Sequence, residues 1–137
     1  MVCGRKFLSL FLGECDDQAV RCYLQVVKGI ASKSFSILFD RIIFRKKQSI
    51  LWASVSSVPL ELEMLNLHLQ AAITGCGYKP EERKFIPHVT VACKIKQSPI
   101  IGEWRPVEWN IDRLVLMRSQ ADVHGVRYMS LGAWSLG

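Results

Sequence analysis

The chain has 137 residues, of which half are apolar and 22% are charged. This length suits one domain, so we predict a single domain over residues 1–137, and the apolar content excludes an intrinsically disordered protein. Basic residues outnumber acidic ones by 18 to 12, and the resulting net charge of +6 favours polyanionic partners. Because charged residues interrupt every apolar stretch, no segment reaches the roughly 18 residues of a membrane span, and we predict no membrane partner.

The five cysteines give no sign of a disulfide framework or of a zinc site. They are odd in number, and no two of them form a CxxC pair. We therefore predict reduced thiols and a cytoplasmic location. The cysteines are Cys3, Cys15, Cys22, Cys76 and Cys93.

The first half of the chain predicts a strand, a helix and a pair of strands. The apolar run Phe7–Leu12 predicts the first strand, although the basic residues before it also occur at the start of signal peptides. A helix follows Asp17, because acidic N-cap residues precede apolar residues at helical spacing. The β-branched and aromatic runs Phe35–Phe39 and Ile50–Val55 predict two strands that pair as a hairpin or meander. The apolar helical positions are Val20, Leu24, Val27 and Ile30.

The second half predicts a leucine-rich helix and three strands. Leucines at three- and four-residue spacing predict a helix over Leu60–Ile73, which two glycines follow. The segment Phe85–Cys93 predicts a strand. After a loop over residues 98–106, the segments Val107–Met117 and Arg127–Leu136 predict the last strand pair. The fold class is therefore α+β, with two helices packed on mainly antiparallel sheet.

Two side chains of the segment Phe85–Cys93 suit phosphoryl chemistry. On a strand, His88 and Thr90 share one face about 7 Å apart, whereas Val89 and Val91 point to the other face. An imidazole transfers protons near neutral pH, and a fixed hydroxyl donates a hydrogen bond to an anionic oxygen. Taken alone, the same spacing also occurs for a buried histidine and an ordinary strand threonine, so this alternative stays open.

The sequence around these two residues resembles a known family. Residues 83–92 read RKFIPHVTVA and follow a leucine-rich helix. This segment resembles the second histidine motif of the two-histidine phosphoesterases, in particular the RNA 2′,3′-cyclic phosphodiesterases, also called 2′-5′ RNA ligases. Three further stretches resemble that family in the same order: FLGE at residues 11–14, ILW at residues 50–52, and a pattern of Leu, Ser, Tyr, Leu and Trp between Leu116 and Trp134.

The resemblance implies a bilobal α+β fold in which two H-x-[TS] motifs face each other across a basic cleft. One histidine would act as the base on water and the other would protonate the leaving ribose oxygen, with no metal or other cofactor. His88 takes one of these roles, and Thr90 holds the phosphate. The implied substrates are RNA ends with a 2′,3′-cyclic phosphate, or cyclic nucleotides, which are hydrolysed to 2′-phosphates. Reversible 2′-5′ RNA ligation is a further implied reaction.

The first histidine motif of that family is altered in this chain. Lys6 falls at the histidine position and Leu8 at the threonine position, whereas a one-residue deletion places Phe7 and Ser9 there. The histidine is missing in either case, and Ser9 keeps a hydroxyl for the phosphate. The preceding strand and helix are missing too, so we predict an N-terminally truncated member. The alternative function is an impaired remnant that only binds phosphate or RNA ends, and an exposed sheet edge predicts self-association.

A few other residues are candidates for RNA or substrate contacts. Phe85 is suited to stack on a nucleobase, and Lys94 and Arg118 are suited to line a phosphate cleft, although a core aromatic and solvated cations fit equally. The basic run Arg45–Lys47 predicts a solvated hairpin loop with a secondary role in holding RNA backbone. Two further histidines are predicted to be surface residues: His68 on a helix and His124 in a turn.

Overall fold

The computed structural model describes residues 10–80 and 84–137, and within these ranges the chain forms two α-helices and seven β-strands. The strands form three sheets, and every ladder whose register is defined is antiparallel. The predicted α+β class is confirmed. The elements are α1 Asp17–Val27, β1 Phe35–Phe39, β2 Arg41–Arg45, β3 Ile50–Ser54, α2 Leu60–Thr74, β4 His88–Ala92, β5 Val107–Ile111, β6 Arg113–Asp122 and β7 Gly125–Ser135.

The described residues divide into two compact units. The first contains Ser36–Pro59 and residues 84–110, and thus the three-stranded sheet β2-β3-β4. The second contains Leu12–Phe35, residues 60–80 and Ile111–Gly137, and thus both helices and the hairpin β6-β7. The prediction of a single domain over the whole chain stays a prediction.

The predicted pairing of Phe35–Phe39 with Ile50–Val55 is wrong. The strand β1 pairs with β5, whereas β3 lies between β2 and β4. Between β1 and β2 the chain forms a corner at Asp40, and hydrogen bonds of Asp40 hold this corner against the end of β3. Its backbone N–H donates to the Ser54 carbonyl (3.0 Å), and its carboxylate accepts from the N–H (2.8 Å) and the hydroxyl of Ser56.

The two helices of the second unit pack on each other through apolar residues at helical spacing. The helix α1 begins where the Asp16 carboxylate accepts the N–H of Ala19 (2.8 Å), and it ends before Ile30, the last of its predicted apolar positions. The helix α2 ends one residue beyond its predicted end. No helix in the described ranges is long and apolar enough to cross a membrane. The buried residues are Tyr23 and Val27 on α1 and Leu62, Leu65, Leu69 and Ile73 on α2.

A disulfide joins the two helical segments, so the prediction of reduced thiols without disulfides is wrong. Cys22 of α1 bonds to Cys76 in the turn after α2, with a Cα–Cα distance of 5.7 Å. Cys93 is also disulfide-bonded, and Cys15 is a free thiol. The two bonded cysteines are 54 residues apart in sequence. Only the packing of α1 on α2 brings them together, which the cysteine spacing does not reveal.

The C-terminal strands differ from the prediction at one point. The predicted strand Val107–Met117 is interrupted at Asp112, so that β5 and β6 belong to different sheets. The predicted strand Arg127–Leu136 is confirmed except for Leu136, since β7 covers Gly125–Ser135. In the turn between β6 and β7, the Asp122 carboxylate accepts the N–H of His124 (2.8 Å), and His124 is exposed as predicted.

The predicted first strand falls mostly beyond the described ranges. Its residues 7–9 lie outside them, together with Lys6 and the other residues of the altered first motif. The described part, residues 10–12, is not in a strand. The predicted loop over residues 98–106 is confirmed, since it contains neither helix nor strand.

Candidate functional site

The strand β4 presents His88 and Thr90 on one face. It covers His88–Ala92, shorter than predicted, and both side chains are half-buried while Val89 between them is buried. Val91 does not share the burial of Val89 and is 45% exposed. The register of β3 against β4 shifts beside it, which marks a β-bulge, and a bulge re-aims the side chain that it contains.

The start of β4 is fixed by a buried serine of β3. Ser54 is 1% exposed, and its hydroxyl donates to the Pro87 carbonyl (2.8 Å). A buried hydroxyl with its hydrogen bond made is stable, whereas the same group without a partner would destabilise the fold by about 1–3 kcal/mol. Ser54 also lies opposite His88 in the ladder. The backbone on both sides of the His88 Cα is therefore held in place.

The imidazole of His88 is held at two places. Its Nδ1 lies 2.9 Å from the Ile86 carbonyl oxygen, so Nδ1 carries the proton that this bond requires. Its ring stacks on the indole of Trp52, with the centroids 3.7 Å apart and the planes 15° apart. In the neutral ring, this tautomer leaves a lone pair on Nε2, which can accept a proton; in the protonated ring, Nε2 can donate one.

Trp52 links the histidine to a cation. The Arg45 Cζ lies 4.7 Å from the centroid of a Trp52 ring, within the range of a cation–π contact. The guanidinium extends from β2 and the imidazole from β4, the two strands that flank β3. The Trp52 Nε1 is buried and has no hydrogen-bond partner in the described part of the chain. In the ladder, Trp52 lies opposite Thr90 and thus shares its face.

The sequence does not predict Trp52 as a site residue, and uses it only for the family resemblance. It predicts Arg45 as part of a solvated hairpin loop, Arg45–Lys47, with a secondary role in holding RNA backbone. In the structure Arg45 is instead the last residue of the strand β2, which is not among the predicted strands. Residues 41–45 read RIIFR, which is too short and too closely flanked by charged residues to indicate that strand locally. No local signal indicates that its arginine reaches Trp52.

The remaining predicted site residues lie in different places. Phe85 is half-buried just before β4, and Lys94 is exposed just after it, in a left-handed backbone conformation (φ 57°). Arg118 belongs to the second unit, where its guanidinium lies 3.7 Å from the Asp17 carboxylate. Ser9 lies outside the described residues. The structure therefore groups His88, Thr90, Phe85 and Lys94 along one segment of the first unit.

His68, the histidine predicted to lie on a helix surface, belongs to the second unit. His68 is exposed on α2, as predicted, and lines an open groove of about 290 Å³ in the second unit beside Leu60 and Met64. Within residues 10–80 and 84–137, no three His, Cys, Asp or Glu side chains are grouped as metal ligands would be.

One comparison shows the family of this chain, and another shows its fold. The family model of the 2′-5′ RNA ligase superfamily matches residues 7–123. Among solved structures, Escherichia coli LigT complexed with 3′-AMP superposes with a TM-score of 0.81 at 20% identity, and TT0787 of Thermus thermophilus with 0.74 at 21%. In both cases 95% of this chain is covered, against 75% of the LigT chain and 76% of the TT0787 chain.

No characterised protein sequence is similar enough to count as a match. The structural similarities, at this level of identity, establish the fold. The sequence match extends over most of the chain and includes the segment that carries His88 and Thr90. The chain belongs to the 2′-5′ RNA ligase superfamily and has the two-histidine phosphoesterase fold.

Proposed function

We propose that this protein binds RNA ends that carry a 2′,3′-cyclic phosphate, or cyclic nucleotides, and hydrolyses them to 2′-phosphates. The observation that supports this most is the fixed imidazole of His88 beside the Thr90 hydroxyl, on one face of β4 in a member of this superfamily. Hydrolysis of a cyclic phosphate uses a group that transfers protons and a group that donates a hydrogen bond to the phosphate, both held in place.

In the proposed reaction, water attacks phosphorus and the bond from phosphorus to the ribose O3′ breaks. The water loses a proton and O3′ gains one, so the product is a 2′-phosphomonoester with a free 3′-hydroxyl. His88 would perform one of these two proton transfers. As the base, neutral His88 would take the proton from water at Nε2; as the acid, protonated His88 would deliver a proton to O3′. Thr90 would donate its hydroxyl to a non-bridging oxygen. When the 5′-hydroxyl of a second RNA replaces water, the same steps give a 2′-5′ linkage.

A second candidate function is binding without turnover. It is favoured by the sequence at residues 6–9, which reads KFLS and contains no histidine for the opposite proton transfer. Losing one of two proton-transfer groups typically lowers the rate by about 10²–10⁴-fold. We therefore expect hydrolysis to be slow relative to enzymes with both histidines.

The test is hydrolysis of a short RNA that ends in a 2′,3′-cyclic phosphate, by the wild type and by His88→Ala. We expect slow turnover that the substitution reduces at least about 100-fold. His68→Ala and His124→Ala are matched controls, because both side chains are exposed and belong to the second unit, whereas His88 and Thr90 belong to the first. Binding that His88→Ala weakens, without any turnover, would select the second candidate. Turnover that His88→Ala leaves unchanged would disprove both.

The predictions about location and assembly remain predictions. Disulfides such as Cys22–Cys76 form in oxidising compartments and are rare in the cytoplasm, so this bond is an argument against the predicted cytoplasmic location. Its oxidation state in cells, measured by thiol labelling, would test the location. Size-exclusion chromatography would test the predicted self-association through a sheet edge.

A further inference from the structure

The positive charge of this protein is concentrated on one sheet. Residues 41–60 and 84–102, which contain the strands β2, β3 and β4 and the chain directly beside them, contain seven basic residues and no acidic residue. The remaining 11 basic and 12 acidic residues nearly cancel, so these two segments account for the whole net charge of +6. The seven are Arg41, Arg45, Lys46, Lys47, Lys84, Lys94 and Lys96.

Most of these cations meet at one end of the sheet. The turn between β2 and β3 carries Arg45–Lys47, and the segment after β4 carries Lys94 and Lys96; all of these side chains are exposed. The two segments are joined because the N–H of Ile95 donates to the Ser49 carbonyl (2.9 Å). We name these five cations, Arg45, Lys46, Lys47, Lys94 and Lys96, the basic end.

The basic end is continuous with the candidate site. His88 lies at one end of β4 and Lys94 just beyond the other, about 20 Å along the extended chain. On the neighbouring strand β3, Trp52 contacts both His88 and Arg45. The contacts of Trp52 therefore connect His88, at the proposed site of the cyclic phosphate, to Arg45 of the basic end.

We infer that the basic end binds the sugar–phosphate backbone of single-stranded RNA just upstream of the terminal cyclic phosphate. This inference rests on the proposed function and specifies its substrate as an RNA chain end rather than a free cyclic nucleotide. A mononucleotide at His88 has no phosphate that could reach Lys46 or Lys96. An oligonucleotide places several phosphates along this line, and a single-stranded site of about four or more nucleotides is usual.

The variant that tests the inference removes three exposed cations of the basic end, Lys46→Gln, Lys47→Gln and Lys96→Gln. The matched control removes three exposed cations of the second unit, Lys28→Gln, Lys33→Gln and Lys79→Gln, with the same loss of net charge. Thermal unfolding checks that both are folded. The ligands are an RNA 8-mer ending in a 2′,3′-cyclic phosphate, the same 8-mer ending in a 3′-hydroxyl, and a 2′,3′-cyclic mononucleotide, each at several salt concentrations.

We expect the wild type to bind the cyclic-ended 8-mer more tightly than the mononucleotide. The basic-end variant should lose about 10- to 100-fold in affinity for both 8-mers at low salt, and its slope of log K against log salt should be smaller in magnitude by about 2. The control should lose much less. The affinity ratio of 8-mer to mononucleotide should fall only in the basic-end variant.

Equal losses in the two variants would overturn the inference and make the charge a solubilising surface. Equal wild-type affinities for the cyclic-ended 8-mer and the mononucleotide would also overturn it, while the proposed function would stand. If the wild type instead binds both 8-mers equally and His88→Ala changes neither affinity, the proposed function fails. The affinity of the basic-end variant for the 8-mers still shows in that case whether the basic end binds RNA. Tighter binding to vesicles of anionic lipid than to RNA would assign the surface to a membrane and overturn the inference.

Discussion

The indole of Trp52 lies almost parallel to the imidazole of His88, with 3.7 Å between the ring centroids. This contact and the hydrogen bond from Nδ1 to the Ile86 carbonyl restrict both torsions of the histidine. Proton transfer in a reaction requires the nitrogen to be within hydrogen-bonding reach of the reacting oxygen, so a fixed ring raises the fraction of time in which it can react. Trp52 thus acts on the proposed reaction through His88.

The first prediction concerns this stack. Trp52→Phe keeps an aromatic ring at the position but shortens it, so we expect a more mobile His88 and slower hydrolysis, by about 10-fold, with a smaller effect on affinity. In NMR spectra, the upfield displacement of the His88 ring protons, which the stacked indole causes, should become smaller. Trp109→Phe is the control, because Trp109 belongs to the same unit and contacts Phe39 instead. Unchanged His88 signals in Trp52→Phe would contradict a positioning role.

The second prediction concerns the Thr90 hydroxyl. Thr90→Val keeps the shape and β-branching of the side chain and removes only the hydrogen-bond donor. A hydrogen bond to a charged oxygen contributes about 1.5–3 kcal/mol, so affinity for the cyclic-ended RNA should fall by about 10- to 100-fold. Fluorescence titration measures this loss. Thr74→Val, which removes a hydroxyl at the exposed end of α2, should leave the affinity unchanged. If Thr90→Val binds as tightly as the wild type, Thr90 does not contact the phosphate.

Local patterns are sufficient to predict α2 and β4 but not the strand β2. The leucine spacing of α2 lies within a single helix, and the alternation around His88 lies within a single strand. The residues of β2 read RIIFR, flanked by further charged residues, so their strand structure depends on pairing with β3. Because β2 is not predicted, the patterns assign Phe35–Phe39 as the partner of Ile50–Val55. Both segments are strands in the structure, but they do not pair with each other.

The candidate site is predictable only in part for the same reason. His88 and Thr90 share a strand, and their spacing alone places them on one face. The contacts of His88 with Trp52 and of Trp52 with Arg45 join three strands, and no spacing within the sequence indicates them. The Cys22–Cys76 bond is a contact of the same kind, since it depends on how α1 packs against α2.

The third prediction concerns pH and the corner between β1 and β2. The hydrogen bonds from the Ser56 hydroxyl and then from its N–H lower the pKa of Asp40 from its ordinary value of 3.8. A carboxyl group whose pKa is lowered in the folded state stabilises that state above its ordinary pKa, and this contribution is lost as the pH falls through the folded-state value. Asp40→Asn should therefore destabilise the protein at pH 6, and the difference from the wild type should shrink as the pH is lowered from 6 to below 3.8.

Urea unfolding of both proteins across this pH range is the measurement. Ser56→Ala is the companion variant, because it removes the hydroxyl that has the largest effect on the Asp40 pKa and leaves the carboxylate in place. It should show the same trend with a smaller amplitude. Unfolding free energies of wild type and Asp40→Asn that differ by the same amount at every pH would show that ionised Asp40 does not stabilise this corner.

The fourth prediction concerns the disulfide between the helical segments. The bond Cys22–Cys76 closes a loop with a sequence separation of 54 residues, and a cross-link of this length restricts the unfolded chain strongly. Under oxidising conditions, the double variant Cys22→Ser/Cys76→Ser should therefore unfold with a free energy lower by about 2–4 kcal/mol. Urea unfolding followed by far-ultraviolet circular dichroism measures the difference, and all proteins are kept oxidised because Cys93 is disulfide-bonded as well.

Cys15→Ser is the control for the serine substitutions, because Cys15 is a free thiol in the same unit. It should change the unfolding free energy by less than about 1 kcal/mol, since serine can replace the thiol in its contacts with the nearby carbonyls. Reducing agent should destabilise the wild type more than the double variant, because the variant has lost this bond already. An equal effect of reducing agent on both proteins would show that Cys22 and Cys76 are not bonded in solution, and α1 would then be held against α2 by apolar packing alone.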